Sequence, residues 1–265
     1  MTTSVRVPVG GAALAVQVRG DGAPILFVHG FPLDQSMWTH QLAGFSGWRR
    51  IAPDLRGAGA SGAPAGEYTM ARYADDLVMV LDAVGAERAV CCGLSMGGYV
   101  LFELMRRHPE RVRALVLCDT KAEADTPQGK QGRDELAALA EREGMVPVGE
   151  RLLPKLLGRT TQSRDPELVE TVRAMVLRSP VTGVAGALRA MRDRPDSTAL
   201  LGEIRVSTLV VGGAEDELTP PGVMRPMAQR IPGGRYVEVP SAGHLCPLER
   251  PDAVNEVLRE FLTSL

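Results

Sequence analysis

At 265 residues, 45% hydrophobic and 23% charged, the chain has the make-up of one globular domain with a large core, or of one domain carrying an insertion, which excludes disordered and collagen-like classes. A net charge of −2, with acidic and basic residues scattered along the sequence, gives no footprint for nucleic acid or an acidic membrane, so a small, uncharged or weakly charged partner is expected. No signal-like apolar core opens the chain and no run reaches membrane-spanning length, which predicts a cytoplasmic protein; the four cysteines have neither disulfide nor metal spacing.

In chain order, residues 5–9 and 14–18 flank Gly10-Gly11 and predict an antiparallel hairpin at a sheet edge. Residues 25–28 form a continuous apolar run of the buried parallel type, ending in His29-Gly30-Phe31-Pro32. A helix is expected over 36–45 with Asp34 as N-cap, then a short strand at 50–53 and a glycine-rich loop from Asp54 to Ser61. A helix over 70–84 leads to a buried strand at 89–92, and a further helix precedes another buried strand at 114–118. Residues 121–200 contain no good strand and predict four helices, at 133–143, 148–157, 166–178 and 182–192. Strands resume at 208–212 and 236–239, and a helix over 252–262 closes the chain. Alternation of strand and helix implies an α/β architecture with helices on both faces of a mostly parallel, eight-stranded sheet. The expected division is a core of residues 1–120 and 201–265 with an inserted helical cap at 121–200.

Between the strand at 89–92 and the helix after it lies Gly93-Leu94-Ser95-Met96-Gly97-Gly98. That setting makes a strand-to-helix elbow, with Ser95 on a sharp, strained turn and glycines where a Cβ would crowd. The pentapeptide alone carries little weight in a chain with 29 glycines. Its context adds the rest, because Asp216 and His244 each follow a later strand, and serine, acid, histidine is the order such a sheet requires. A serine needs a base at neutral pH, imidazole supplies one, and a carboxylate on the other ring nitrogen fixes its tautomer. Asp119, at the end of the preceding strand, remains an alternative acid.

Through His29-Gly30-Phe31-Pro32, the Asp54–Ser61 loop, the elbow, Asp216 and Gly243-His244, the chain resembles the capped serine hydrolases of the α/β-hydrolase superfamily over essentially its whole length. These include carboxylesterases, enol-lactonases and cofactor-free haloperoxidases. The resemblance implies Ser95 as nucleophile, His244 as base and acid, Asp216 as orienting carboxylate, and the backbone N–H groups of Phe31 and Met96 as oxyanion hole. It makes His29 structural, and a loop-holding ion pair is expected of Arg56. Serine at 95 sets aside the aspartate-nucleophile epoxide hydrolases and haloalkane dehalogenases. Trp38, Met145, Leu156 and Met175 are candidates to line a substrate pocket, with core packing as the alternative for each. No metal and no cofactor are expected. The implied activity is hydrolysis of small to medium apolar esters or lactones through an acyl-enzyme. Carbon–carbon bond hydrolysis, thioester hydrolysis and peracid formation on the same triad stay open, as does a non-catalytic ligand-binding role, and the oligomeric state is undetermined.

Overall fold

Gly10 and Gly11, the latter at φ 80°, fold β1 (Thr2–Val9) back onto β2 (Ala12–Arg19), in antiparallel register from Thr2↔Arg19 to Val9↔Ala12. The chain is seen here in a computed structural model that describes residues 2–265. The remaining strands are β3 (Ala23–Val28), β4 (Trp48–Pro53), β5 (Ala89–Leu94), β6 (Val112–Cys118), β7 (Thr208–Gly213) and β8 (Arg235–Val239). They form one sheet in the order β1-β2-β4-β3-β5-β6-β7-β8, and every pair beyond β2–β4 is parallel.

Strand order reverses around β3, so right-handed crossovers put α1 (Thr39–Gly44) on the face opposite α2 (Met70–Ala83) and α3 (Met96–Arg107). A crevice therefore opens beyond the carboxyl ends of β3 and β5, where open α/β sheets bind ligands. Five helices lie between β6 and β7: α4 (Pro127–Glu143), α5 (Met145–Leu156), α6 (Arg159–Arg164), α7 (Pro166–Leu177) and α8 (Val181–Arg192). Within this insertion α4 packs on α8, and α5 on α4 and α7. The core resumes with α9 (Pro221–Arg230), the short α10 (Cys246–Glu249) and α11 (Pro251–Thr263), which packs against α1. Among the described residues no helix is long and apolar enough to cross a membrane.

Several features depart from the sequence expectations. The segment 36–45 splits into a 3₁₀ turn, Gln35–Trp38, and α1, although Asp34 does cap it by accepting from the Ser36 N–H at 2.9 Å. Helices α6 and α9 were not expected: α6 is polar throughout and lacks an apolar stripe, while Pro220, Pro221 and Pro226 read as breakers. A proline at the first helical position costs nothing, since that N–H has no intrahelical partner.

Between β1 and α2 a charged pair is buried in this frame. Arg56 donates from Nε and Nη2 to the two oxygens of Asp76, at 2.9 and 2.7 Å, and from Nη1 to the Gly10 carbonyl at 3.1 Å. Burial pushes the Asp76 carboxyl up, and the guanidinium offsets only part of that. Breaking such a pair leaves a buried charge without a partner. Asp76→Ala is accordingly expected to lower unfolding free energy by about 3–5 kcal/mol in urea denaturation, far beyond the effect of removing an exposed ion pair.

Candidate active site

The last turn of β5 delivers its chain into a conformation that few side chains adopt. Ser95 stands at φ 53°, ψ −112°, with its N–H donating to the Cys118 carbonyl at 2.9 Å. Its own carbonyl accepts from the Gly98 and Tyr99 amides and from the Thr120 hydroxyl, the last at 2.8 Å. Such a residue persists only when its surroundings over-determine it. The flanking glycines permit this crowding: a Cβ on Gly93 would lie 2.7 Å from the Gly97 carbonyl, and one on Gly97 would overlap the Val28 carbonyl oxygen.

Asp216 and His244 meet beyond the ends of β7 and β8. His244 Nδ1 lies 2.9 Å from Asp216 Oδ2, and both side chains are almost fully buried. Asp216 also accepts from the Leu218 and Thr219 amides at 2.8 and 3.1 Å, and from the Thr219 hydroxyl at 2.5 Å. Burial alone would raise its carboxyl, but His244 and the Thr219 donors outweigh that and hold it at about 2. With Nδ1–H engaged by the carboxylate, Nε2 is the free acceptor; this tautomer follows from the hydrogen-bond network.

Asp119, the alternative acid, points elsewhere. Its Oδ1 accepts from the Gly213 amide at 2.8 Å, while Oδ2 is buried with no hydrogen-bond partner among the described residues. Burial, with Asp216 nearby, pushes its carboxyl well above the usual range, which suits a neutral acid and not a counter-charge for imidazole.

The loop after β3 lies against the elbow, since a Cβ built on Gly30 would approach Ser95 Cβ to 3.4 Å. His29 fixes this loop: Nδ1 donates to the Gly30 carbonyl and Nε2 accepts from the Leu55 amide, each at 2.9 Å. Among the described residues neither the Phe31 nor the Met96 backbone N–H donates a hydrogen bond. Both residues line one small cavity of about 20 Å³, whose further walls include Pro32, Gly183, Val184 and Ala187. Ser179, also on the cavity wall, donates to the Pro32 carbonyl at 2.9 Å, and Arg178 pairs with Asp34 at 2.6 Å, so the insertion is pinned to this loop.

The four candidate pocket residues do not line this cavity. Trp38 is in the core, its ring 5.2 Å from that of Phe27, and Met145, Leu156 and Met175 are buried within the insertion. Gly183, Val184 and Ala187 of α8 wall the cavity instead. Sequence reasoning also missed Thr219, although Asp-x-x-Thr is the spacing at which a side-chain carboxylate caps its own turn. Among the described residues no cluster of His, Cys, Asp and Glu could hold a metal ion.

Sheet order, elbow serine and a buried acid–imidazole pair together define the hydrolase class of α/β enzymes. The chain belongs to the alpha/beta hydrolase fold family, whose model matches residues 23–251. A thermophilic esterase from Thermogutta terrifontis, solved with malate bound, is 40% identical with a TM-score of 0.95, covering 100% of this chain and 98% of that one. The enol-lactonase from Burkholderia xenovorans LB400 is 31% identical with a TM-score of 0.91, covering 98% and 100%. The Bacillus subtilis AB hydrolase superfamily protein YisY is 30% identical over 95% of this chain and 96% of its own length.

Replacing Gly97 tests the elbow's packing. In an ordinary helix Gly→Ala is stabilising by about 1 kcal/mol. Here the added methyl meets backbone, so Gly97→Ala should instead destabilise by about 3 kcal/mol, the upper end for overpacking, as read by chemical denaturation.

Proposed function

We propose that the protein hydrolyses carboxylic esters or lactones through an acyl-enzyme on Ser95. The observation that carries this reading is that Phe31 and Met96, whose backbone amides donate no hydrogen bond among the described residues, line one cavity, and that Met96 directly follows a serine at φ 53°. Two such donors suit the oxyanion of a tetrahedral acyl intermediate, and the Met96 amide opens α3, where the helix dipole favours negative charge.

In this mechanism Ser95 Oγ attacks the carbonyl carbon as its proton passes to His244 Nε2. The oxyanion accepts from Phe31 and Met96, and on collapse His244 returns the proton to the leaving alcohol. Water, activated by the same imidazole, then attacks the acyl carbonyl, and the acid departs with Ser95 restored. Asp216 stays ionised throughout and stabilises the imidazolium. The insertion, residues 121–200, is read as a cap, with Gly183, Val184 and Ala187 of α8 on the wall of the cavity that Phe31 and Met96 also line, and the narrowness of that cavity favours short acyl groups. Esterase and enol-lactonase relatives that cover nearly the whole chain favour the same reaction class.

Initial rates on p-nitrophenyl acetate, butyrate and octanoate, beside a small lactone, test this directly. Acetate and butyrate should exceed octanoate, and Ser95→Ala should lower kcat/KM at least about a thousandfold. Equal, slow rates for the folded wild type and mutant would sink the reading; thioester and vinylogous diketone substrates then distinguish the other chemistries of the triad.

The pH profile provides a second test. Because the Asp216 carboxyl is held at about 2, below its ordinary value of 3.8, it stays charged through the neutral and mildly acidic range, and its stabilising effect is lost as pH falls from 3.8 through about 2. Asp216 should therefore add no ionisation to log kcat/KM above about pH 4, and the acid limb there should rise with a slope no steeper than one. A slope of two would show a second essential group titrating.

A further inference from the structure

Two carboxylates outside the proposed triad converge on one turn of the insertion. Glu249, on α10, is 5% exposed; its Oε1 accepts from the Gly243 and Leu245 amides at 2.9 and 3.2 Å, the residues on either side of His244. Its Oε2 accepts from the Gly158 amide, 2.9 Å away, at the start of α6. Glu215, next to Asp216, accepts from the Thr160 amide at 2.8 Å and the Thr160 hydroxyl at 2.5 Å, while its own N–H donates to the Ala242 carbonyl at 2.7 Å. Between these clamps two glycines meet backbone to backbone. A Cβ on Gly158 would lie 2.7 Å from both the Gly243 nitrogen and Glu215 Oε2, and a Cβ on Gly243 would overlap the Gly158 backbone. Gly158 has φ −62°, ψ 149°, which any residue adopts, so glycine is required there for space alone.

We propose that Glu249 and Glu215 are positioning residues that seat the Gly158–Thr160 turn of the insertion on the loops carrying His244 and Asp216, so that the insertion sets the geometry of the acid–base pair. The inference rests on the triad reading above. Its physical basis is that one buried carboxylate satisfies amides from both bodies at once: when the turn lifts, Glu249 loses a donor that water cannot replace, and the flanks of His244 lose their anchor. Displacement of a catalytic base by about 1 Å costs on the order of a hundredfold in rate.

The test compares full-length wild type with Gly158→Ala, Glu249→Gln and Glu215→Gln. Gly158→Ala is the central variant, since the backbone tolerates alanine and only the contact is wedged apart. Glu249→Gln keeps one carbonyl but sets an amide N–H₂ against a backbone donor, so only one of the two arms survives. Expected is a fall in kcat of about 10- to 100-fold with KM changed less than about threefold, on the p-nitrophenyl ester that wild type turns over. Hydrogen exchange should quicken together in the peptides covering 155–162 and 241–250 in Gly158→Ala and Glu249→Gln, with the sheet unaffected. Unchanged exchange at 241–250 in Gly158→Ala would overturn the clamp, whatever the activity. Faster exchange with kcat retained would overturn the positioning role and leave a purely structural tie. Lack of Ser95-dependent turnover in wild type would instead defeat the esterase reading, and exchange alone would then decide the clamp. Should Glu249→Gln fail to fold, Gly158→Ala and Glu215→Gln carry both readouts.

Discussion

Loops at the carboxyl edge of this sheet lie beside a helical insertion, and many of their amides, buried or half-buried, have no strand to pair with. Buried N–H groups of this kind must find acceptors inside the protein. The chain supplies them as carboxyl oxygens: Asp54 accepts from the Gln35 and Ala60 amides, Asp119 from Gly213, Asp216 from Leu218 and Thr219, Glu249 from Gly158, Gly243 and Leu245. Each acid is costly to bury and is repaid only in the folded arrangement, so the loops are held in one geometry. Order at this edge is a by-product of satisfying the backbone. Asp216 shows the overlap, because the turn that caps its carboxylate also aims Oδ2 at His244.

Much of the fold was legible because its signals are local. Continuous apolar runs mark the parallel strands, Gly10-Gly11 marks the hairpin, and the elbow needs only glycines on either side of a serine between a strand and a helix. What was illegible depends on partners distant in sequence. Asp119 and Asp216 both follow a buried strand, and sequence alone left the choice of acid open; the folded chain turns Asp119 to the Gly213 amide and Asp216 to the imidazole. Apolar periodicity likewise revealed which faces of the inserted helices are buried without revealing what buries them. Met145, Leu156 and Met175 fill the interior of the insertion, whereas Gly183, Val184 and Ala187 reach the cavity because α8 crosses close to the Gly57 backbone. Glu249 carried no signal, since main-chain amides leave no residue type to recognise.

The insertion is attached at both ends of the crevice by contacts of unequal durability. On the side of Phe31 and Pro32, the Arg178–Asp34 pair has a half-exposed guanidinium, open to screening by salt. On the side of His244 the ties to Glu249 are buried and charge-assisted. Beside Phe31 and Pro32 the buried Ser179 hydroxyl, donating to the Pro32 carbonyl, is the tie that salt does not screen.

Ser95 carries a last implication. Its backbone sits at a positive φ that glycine would occupy at less cost, and conformations of this kind carry a penalty on the order of 1–3 kcal/mol. The residue best matched to the fold at this point is thus one with no hydroxyl at all. A hydroxyl at this position therefore comes at the expense of stability, which is the cost the proposed nucleophile would carry.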